Sequence, residues 1–348
     1  MKLFRFIFLP FGLIYWLITS LRNGLYAIRF FKSAKFSLPI INVGNLSVGG
    51  TGKTPHTEYL IKLLKSKYKL ATLSRGFGRK VRGFKIAEEG VAVSEIGDEP
   101  LQYFTKFGNE IDVVVDADRV AGVVELYREK PTTELVLLDD AFQHRAIHAG
   151  LNILLTTYNE PYYNDFILPV GNLRESRFGA KRADVIVMSK CPDFKKVNKE
   201  KVKRRLHLKS HQHLFFSRIK YGDVFLLDNQ TKLQNQTAMN VILVTGIAKP
   251  EFLVDFLKKE HLILHHFKFK DHHNFKVEEI KEIHDLFNKF AEKNRIIITT
   301  EKDAMRLKND ELFGLMKDYP WAYQSIEVEV DNAREFDNII LDYVEKNS

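Results

Sequence analysis

The stretch INVGNLSVGGTGKTPHTEYLI, residues 41–61, decides the fold of this chain. An apolar run leads into a glycine-rich turn, which is followed by Gly52, Lys53 and Thr54 and then by a helical pattern. This order of strand, loop and helix is the layout of a phosphate-binding loop. The usual loop carries glycine six residues before the lysine, whereas this chain has Ser47 there. The other glycines of the turn keep most of its flexibility, so we predict a site for nucleotide phosphates.

The loop can contact phosphate in two ways. Backbone N–H groups of a glycine-rich turn can surround phosphate oxygens, and the N-terminus of the next helix adds the positive end of its dipole. Lys53 would neutralise phosphate charge, and the Thr54 hydroxyl would be a ligand of Mg²⁺. We therefore expect ATP and Mg²⁺ as cofactors, with an ordinary glycine turn as the alternative. The predicted nucleotide-binding residues are Ser47, Val48, Gly49, Gly50, Thr51, Gly52, Lys53 and Thr54.

Apolar runs and helical patterns alternate through the first half of the chain. Helices are expected to begin near Thr54, Glu99 and Arg119. Such alternation predicts an α/β fold, a mostly parallel sheet with helices on both faces, and ligands at the carboxyl ends of its strands. The predicted strands are 39–43, 70–74, 111–115, 135–139, 151–156 and 185–188.

A second alternation follows a basic segment at 192–208. Two short β-like runs, 214–219 and 224–227, are separated by Tyr221-Gly222-Asp223 and can form a two-stranded ribbon between two lobes. The second alternation begins at 241–257 and continues through 262–269, 277–292 and 295–299. We predict four units: a membrane-anchor helix at 1–36, a kinase core lobe at 37–210, a linker at 211–235 and a C-terminal α/β lobe at 236–348.

Carboxylates stand at the expected end of one strand. In ELVLLDDAFQHR, four apolar residues run into Asp139 and Asp140, which can hold Mg²⁺ beside the nucleotide phosphates. A pair of loop aspartates at a helix cap is the alternative. Gln143 lies close enough in sequence to line the same crevice, without an assigned role.

Further charged residues follow other strands. Arg75 in SRGFGRK suggests an anion-binding turn, and Asp98 in IGDEPLQYF either caps a helix or serves the chemistry. Arg174 and Glu175 in PVGNLRESRFGAKRAD suit a phosphate or sugar clamp, unless this is a solvated basic face. The stretch HLILHHFKFKDHHNF holds five histidines in fifteen residues. Their spacing matches no zinc pattern, so we expect an acid/base or anion-binding role there instead.

Composition narrows the classes of partner. The chain has 348 residues, a formal charge of +9 and one cysteine, which excludes an internal disulfide and fits a reducing compartment. The positive charge favours an anionic partner: nucleic acid, phospholipid or a phosphorylated substrate. Charge alone does not choose among these.

The N-terminus points towards phospholipid. Residues 6–21 carry no charge, but they fall short of the ~20 residues that cross a bilayer. Basic residues recur behind them among apolar ones, which suits a helix lying in an anionic membrane surface. A single span or signal peptide and a helix packed on its own domain are the alternatives. A cleaved signal would carry the chain away from ATP, so we favour a monotopic anchor.

Together these motifs resemble the tetraacyldisaccharide 4'-kinase family of lipid A biosynthesis. The resemblance is carried by VGNLSVGGTGKTP, LSRGFGR, GDEP, DDAFQHR, PVGNLRES, FKDHHNF and TTEKDA, in this order between residues 43 and 304. The order and spacing make it specific, and Ser47 falls where that family commonly has threonine. Two departures are GIAKPEF at 246–252, where the family often reads Gly-Ile-Gly-Asn-Pro, and FGRK in place of a glycine pair.

The resemblance implies a P-loop NTPase-like fold of two α/β/α lobes joined by a two-stranded linker, with an N-terminal membrane-associated helix. It implies transfer of the γ-phosphate of ATP, with Mg²⁺, to the 4'-hydroxyl of an acylated disaccharide 1-phosphate, which forms lipid IVA. The site would be the cytoplasmic face of the bacterial inner membrane. We expect a monomer on an anionic membrane surface and no nucleic-acid partner.

Residue roles follow from the same resemblance. Asp98 and His272 would activate the sugar hydroxyl, with Lys53 as the third catalytic residue. Magnesium would be held by Thr54, Asp139 and Asp140, and the substrate by Arg174 and Glu175. We add Arg75 and Gln143 to the predicted substrate residues because of their places in the sequence. Two rival functions are a kinase of a soluble small molecule and a membrane-associated partitioning ATPase. The second carries a lysine where this chain has Val48.

Overall fold

The computed structural model describes residues 3–228, 231–234, 238–308 and 310–348. The strands are β1 (Ile40–Asn45), β2 (Leu70–Ser74), β3 (Lys85–Ile86), β4 (Asp112–Val115), β5 (Leu135–Asp139), β6 (Leu151–Thr157), β7 (Val185–Ser189), β8 (His213–Leu226), β9 (Asn240–Thr245), β10 (Leu262–Lys268), β11 (Arg295–Thr300) and β12 (Trp321–Val330). The helices are α1 (Leu9–Ala27), α2 (Lys53–Leu64), α3 (Val93–Ile96), α4 (Asp98–Phe107), α5 (Arg119–Glu129), α6 (Lys199–Leu206), α7 (Glu251–Leu257), α8 (Val277–Lys289), α9 (Glu301–Leu307), α10 (Asp310–Met316) and α11 (Ala333–Asn347).

The strands form one sheet in the order β10-β9-β11-β12-β8-β7-β6-β1-β5-β2-β4-β3. In the first lobe β1 lies between β5 and β6 and runs parallel to both. Every residue of β1, β2 and β5 is buried, as expected for parallel strands covered on both faces. The predicted α/β class is confirmed, and the loop that follows β1 lies at the carboxyl edge of the sheet.

The connection between the lobes differs from the ribbon that we predicted. The runs 214–219 and 224–227 belong to a single strand, β8, which pairs antiparallel with β12 and parallel with β7. The break at Gly222 is a register shift in the β8–β12 pairing, where a Cβ would lie 2.6 Å from the Ser325 Oγ. Glycine here marks a bulge instead of a turn. Pairing of the two runs with each other was therefore wrong, and the two-stranded connection consists of β8 and β12.

The second lobe carries β9 to β12, after which the chain returns to the first lobe. The Tyr343 hydroxyl on α11 lies 3.1 Å from both the backbone N and O of Ile40 in β1. Phe336, at the start of the same helix, packs edge-on against Tyr59 and Phe215 of the first lobe. Helix α11 thus packs onto the first lobe and completes its core.

Helix α1 lies along the first lobe. The segment Arg5–Ala27 is long and apolar enough to cross a membrane by length and composition, yet one of its sides is held by protein. The Tyr15 hydroxyl donates to the Arg174 carbonyl at 2.9 Å, and Arg5 Nη2 donates to the Gly171 carbonyl at 2.6 Å. A Cβ on Gly12 would lie 2.9 Å from a methyl group of Val170, so this glycine permits close approach. The opposite side of the helix is exposed.

Candidate functional site

The loop after β1 is held in shape from beneath. Gly49 and Gly52 have φ angles of +104° and +91°, a left-handed region that side chains other than glycine rarely adopt. Asn45 donates to the Thr51 Oγ1 at 2.8 Å, and the Ser189 hydroxyl donates to the Thr51 carbonyl at 2.7 Å. The ends of β1 and β7 therefore fix the loop while its upper side stays open to a cleft.

The same loop is joined to the segment that carries Arg174. The backbone N–H of Val48 donates to the Asn172 carbonyl, and the N–H of Arg174 donates to the Leu46 carbonyl, each at 2.7 Å. Ser47 forms a single antiparallel bridge with Leu173 between these bonds. Arg174, which we predicted to contact the acceptor, is thus fixed beside the predicted phosphate site.

Lys53 and Asp140 meet at the first turn of α2. The Lys53 Nζ lies 3.6 Å from the Asp140 Oδ2, and Arg174 donates to the Asp140 Oδ1 at 2.7 Å. Burial alone would raise the pKa of Asp140, but the charges of Lys53 and Arg174 outweigh it and lower the pKa. Asp140 is therefore an ionised link between the loop and the Arg174 segment.

Asp139 has a different environment. Its Oδ2 accepts a hydrogen bond from Tyr103 at 3.0 Å, while its Oδ1 is buried without a partner among the described residues. Burial, followed by the charges of Asp140 and Glu99, raises the pKa of Asp139 to about 7. A cation beside it would reverse that shift, because opposite charge favours the carboxylate.

Asp98 and His272 come together from opposite lobes. The His272 Nδ1 lies 3.1 Å from the Asp98 Oδ2, although Asp98 begins α4 and His272 follows β10. His272 has a φ of +57°, and its backbone N–H donates to the Gly246 carbonyl at 3.1 Å. The Phe77 ring packs edge-on against the imidazole at 5.3 Å. The backbone hydrogen bond and the contact with Phe77 thus fix the position of the imidazole ring.

Two cations without a predicted role lie beside this pair. Arg306 donates to the Asp98 Oδ2, and the Lys302 Nζ lies 2.8 Å from Glu99 and 3.1 Å from the His272 Nε2. Burial would raise the pKa of Asp98, but the hydrogen bond with His272 and the charges of Lys302 and Arg306 hold it well below its usual range. The sequence signal that could have identified these two cations is the i, i+4 spacing of Lys302 and Arg306 directly after a strand.

The predicted substrate residues divide into two groups. Arg75 is exposed and lines the cleft, as Arg174 also does. Glu175 is fully buried and accepts hydrogen bonds from the Nη2 and Nη1 atoms of Arg182, at 2.7 and 3.0 Å. Gln143 and Asn23 donate to the same carboxylate at 3.0 and 2.6 Å. Glu175 therefore lies behind the cleft wall and orients the residues around it.

The other histidines of the cluster lie apart from one another. His266 bonds to Thr245 and His273 to Glu279, each at 2.8 Å. Within the described ranges, the acidic and imidazole atoms close enough to share a metal ion are those of Asp98, Glu99 and His272.

A cleft of about 1590 Å³ lies between the lobes. Its walls include the loop at 47–54, the carboxylates after β5, and Asp271 and His272 of the second lobe. Ligand sites commonly fall in the range of ~300–1,000 Å³, so a nucleotide and the head of a second substrate fit together.

Comparison with known proteins gives consistent results. A family model described as tetraacyldisaccharide-1-P 4'-kinase matches residues 4–345. A tetraacyldisaccharide 4'-kinase of Flavobacterium johnsoniae is 42% identical over 351 residues, covering 100% of this chain and 99% of that relative. One of Bacteroides thetaiotaomicron is 40% identical over 355 residues, covering 97% of this chain and 93% of that relative.

A solved structure agrees with these matches. LpxK from Aquifex aeolicus, crystallised in complex with ATP, superposes on this chain with a TM-score of 0.76 at 28% identity. The match covers 98% of this chain and 99% of that one. The arrangement of lobes inferred from the motifs is therefore found in a protein that binds ATP.

Proposed function

The chain belongs to the tetraacyldisaccharide-1-P 4'-kinase family, and we propose that its interlobe cleft carries out that family's reaction with the residues described above. It is an ATP-dependent phosphotransferase with a hydroxyl acceptor in lipid A biosynthesis. The γ-phosphate of ATP passes to the 4'-hydroxyl of tetraacyldisaccharide 1-phosphate. Each residue role below is part of the proposal.

The loop at 47–54 holds the phosphates of ATP, with Lys53 against them. Asp139 fits a divalent cation there, because its buried Oδ1 has no partner in the part of the chain that the structure describes and its pKa is raised by burial and by Asp140. Oxygen ligands of this kind are what Mg²⁺ prefers, so Asp139, Asp140 and the Thr54 hydroxyl would hold it, directly or through water. Bound Mg²⁺ would neutralise charge on the phosphate oxygens during transfer.

The Asp98–His272 pair removes the proton from the sugar hydroxyl. The His272 Nδ1 lies 3.1 Å from the Asp98 Oδ2 and 3.3 Å from the Arg306 Nη2. We infer that Nδ1 carries its proton towards Asp98, which leaves Nε2 as the ring atom with a lone pair. That lone pair faces the Lys302 ammonium at 3.1 Å. We infer that Lys302 turns towards the nucleotide phosphate on binding, after which Nε2 takes the hydroxyl proton. Asp98, with its low pKa, holds the ring and stabilises the imidazolium that forms.

The acceptor enters beside α1. Arg75 and Arg174 offer guanidinium groups along the cleft wall, and such groups bind phosphate well. Gln143 accepts a hydrogen bond from Arg174 at 3.4 Å, and Glu175 holds Arg182 through the hydrogen bonds given above. Tyr15 of α1 reaches the same segment, so a lipid arriving along this helix meets the clamp directly.

The exposed side of α1 rests on an anionic membrane. It presents large apolar side chains over its whole length, including Phe11, Leu13, Leu17 and Leu21. Because the other side is bonded to the first lobe, we propose a monotopic contact in which the helix lies on the membrane. We propose that this surface belongs to the cytoplasmic face of the bacterial inner membrane, where ATP is available, and that the chain acts there as a monomer.

The observation that carries the mechanism is the Asp98–His272 contact beside the phosphate loop. The test is transfer from γ-labelled ATP to detergent-dispersed tetraacyldisaccharide 1-phosphate, in parallel with soluble sugars and with no acceptor. We expect phosphorylation of the lipid alone. Transfer to soluble sugars would favour a small-molecule kinase, and hydrolysis without transfer would favour a partitioning ATPase.

A further inference from the structure

Lys190 is a cation beside the phosphate loop that the mechanism above does not use. It follows β7, and its Nζ would lie 3.7 Å from a Cβ placed on Gly50. Neither a hydrogen bond nor an ion pair joins its side chain to any residue that the structure describes. The side chain is only partly exposed, and a cation removed from water without a partner costs free energy. An anionic ligand at this position would compensate that cost.

The backbone around Lys190 is fixed so that the side chain lies against the loop. Lys190 has a φ of +54°, which is uncommon for a residue with a side chain and often marks a functional position. The preceding Ser189 hydroxyl donates to the carbonyls of Thr51 and Thr156, at 2.7 and 3.3 Å. The N–H of Cys191 donates to the Ser217 carbonyl at 2.9 Å. Loop and lysine are therefore held together by the same turn.

The order of strands indicates which part of ATP lies there. Asp139 ends β5, on one side of β1, whereas Lys190 follows β7, beyond β6 on the other side. The γ-phosphate must face the carboxylates and the Asp98–His272 pair, so the nucleoside extends towards β7. There the cleft is lined by Asn159, Pro192, Ile247 and Phe252, which offer polar edges and apolar faces for a base.

We propose that Lys190 binds the α-phosphate and ribose of ATP and joins them to the loop at Gly50, an inference that rests on ATP being the phosphate donor. The methylene stem forms part of the wall of the nucleoside site. Burial and the charge of Lys249 lower the pKa of Lys190 and outweigh the carboxylate of Glu160, which raises it, as expected for a cation whose partner arrives with the ligand. This residue contributes to ATP binding and not to the transfer step.

The test compares Lys190→Met, which keeps the stem and removes the charge, with Lys190→Arg, which keeps the charge. Lys203→Met, on the exposed face of α6, is the matched control. A hydrogen bond to a charged group contributes ~1.5–3 kcal/mol, or about 10- to 100-fold in affinity. We expect the KM for ATP to rise by about that factor in Lys190→Met with kcat nearly unchanged, and less in Lys190→Arg.

Competition separates the parts of the nucleotide. AMP and inorganic tripolyphosphate are titrated as inhibitors of the full-length proteins, after thermal unfolding has shown that each variant is folded. We expect Lys190→Met to weaken inhibition by AMP and to leave tripolyphosphate unaffected. Equal weakening of both would assign Lys190 to the transferred phosphates and overturn the proposal, as would no change in either. Should Lys190→Met not fold, loss of AMP inhibition in Lys190→Arg would overturn it. Failure of the unsubstituted protein to use ATP would instead overturn the proposed function.

Discussion

At the scale of single residues, the carboxylates at this cleft differ in the cations that pair with them. Asp140 forms ion pairs with Lys53 and Arg174, and Asp98 forms one with Arg306, whereas Asp139 forms none among the described residues. Neighbouring carboxylates consequently differ in pKa, which is lowered for Asp98 and Asp140 and raised for Asp139. Such separation is frequent at functional sites, because it assigns each group a different protonation state at one pH.

Lys53→Ala should abolish phosphate transfer while the protein stays folded. The Lys53 side chain reaches Asp140 at the cleft and contributes little to the core, so its loss removes a charge partner of the transferring phosphate. We expect a fall in kcat on the order of a thousandfold, measured with the lipid acceptor. Lys62→Ala, at the exposed end of the same helix, is the control. Near-normal turnover by a folded Lys53→Ala protein would contradict the kinase mechanism.

His56 should make stability depend on pH. It lies under the loop, with Nδ1 donating to the Gly52 carbonyl at 2.7 Å and Nε2 accepting from Ser217 at 2.8 Å. Burial lowers its pKa from 6.5 to about 4. Between these values the unfolded chain binds the proton and the folded chain does not, so stability falls as pH drops. The loss contributed by His56 should approach about 3 kcal/mol at pH 4.

Urea unfolding of the wild type and of His56→Gln at pH 7 and at pH 5 measures this contribution. The glutamine can still donate to Gly52 but does not titrate, so its free energy of unfolding should fall less between the two pH values. Equal falls in both proteins would show that His56 is not the group responsible.

At the scale of elements, the sequence predicted the buried strands β2 and β5 correctly and the bulged strand β8 incorrectly. Strands β2 and β5 begin and end where predicted, because apolar runs there stop abruptly at polar residues. Strand β8 was divided in two, since Gly222 reads as a turn unless its partner on β12 is known. Strand β12 and helix α9, which carries Arg306, were not predicted as elements. A helix face cannot be oriented from sequence when the packing partner is distant.

Substitutions on the two sides of helix α1 should affect membrane binding and catalysis separately. Leu17 and Ile18 are 62% and 61% exposed, so Leu17→Ser with Ile18→Ser removes apolar contact and leaves the bonded side intact. We expect lower recovery in the membrane fraction and unchanged turnover with detergent-dispersed acceptor. Tyr15→Phe should lower turnover and leave recovery in the membrane fraction unchanged, because it removes the hydrogen bond to the Arg174 carbonyl. Deletion of residues 1–30 should combine both effects, with partial release because other basic residues remain. Full pelleting of the double serine variant would argue against the anchor.

At the scale of the whole molecule, the lobes meet along α4 and α9. Lys106 on α4 lies 2.7 Å from both Glu58 of the loop helix and Glu301 of the second lobe. Further along, Asp98 meets Arg306 and His272. The loop and the acidic motif were predicted from their local pattern. The Asp98–His272 pair came from the family resemblance, since no local signal joins residues on different lobes.

Asp98 and His272 should act as one unit. Asp98→Asn is preferable to alanine, because Asp98→Ala would leave the buried Arg306 unpaired. A positioned base contributes ~10²–10⁴-fold, so Asp98→Asn and His272→Ala should each lower kcat within that range and change ATP affinity little. The double variant should lose much less than the product of the two losses. Strictly multiplicative losses, measured at saturating substrates, would indicate two independent residues.

The return of α11 to the first lobe has a consequence for synthesis. Phe336 and Tyr343 pack against Phe215 and β1, so the first lobe cannot complete its core until α11 has left the ribosome. The second lobe is translated before that moment and can fold while the first waits. A nascent chain released before α11 would thus carry the complete phosphate-loop sequence in a lobe whose core is incomplete. The cell obtains a kinase only when translation has passed this helix.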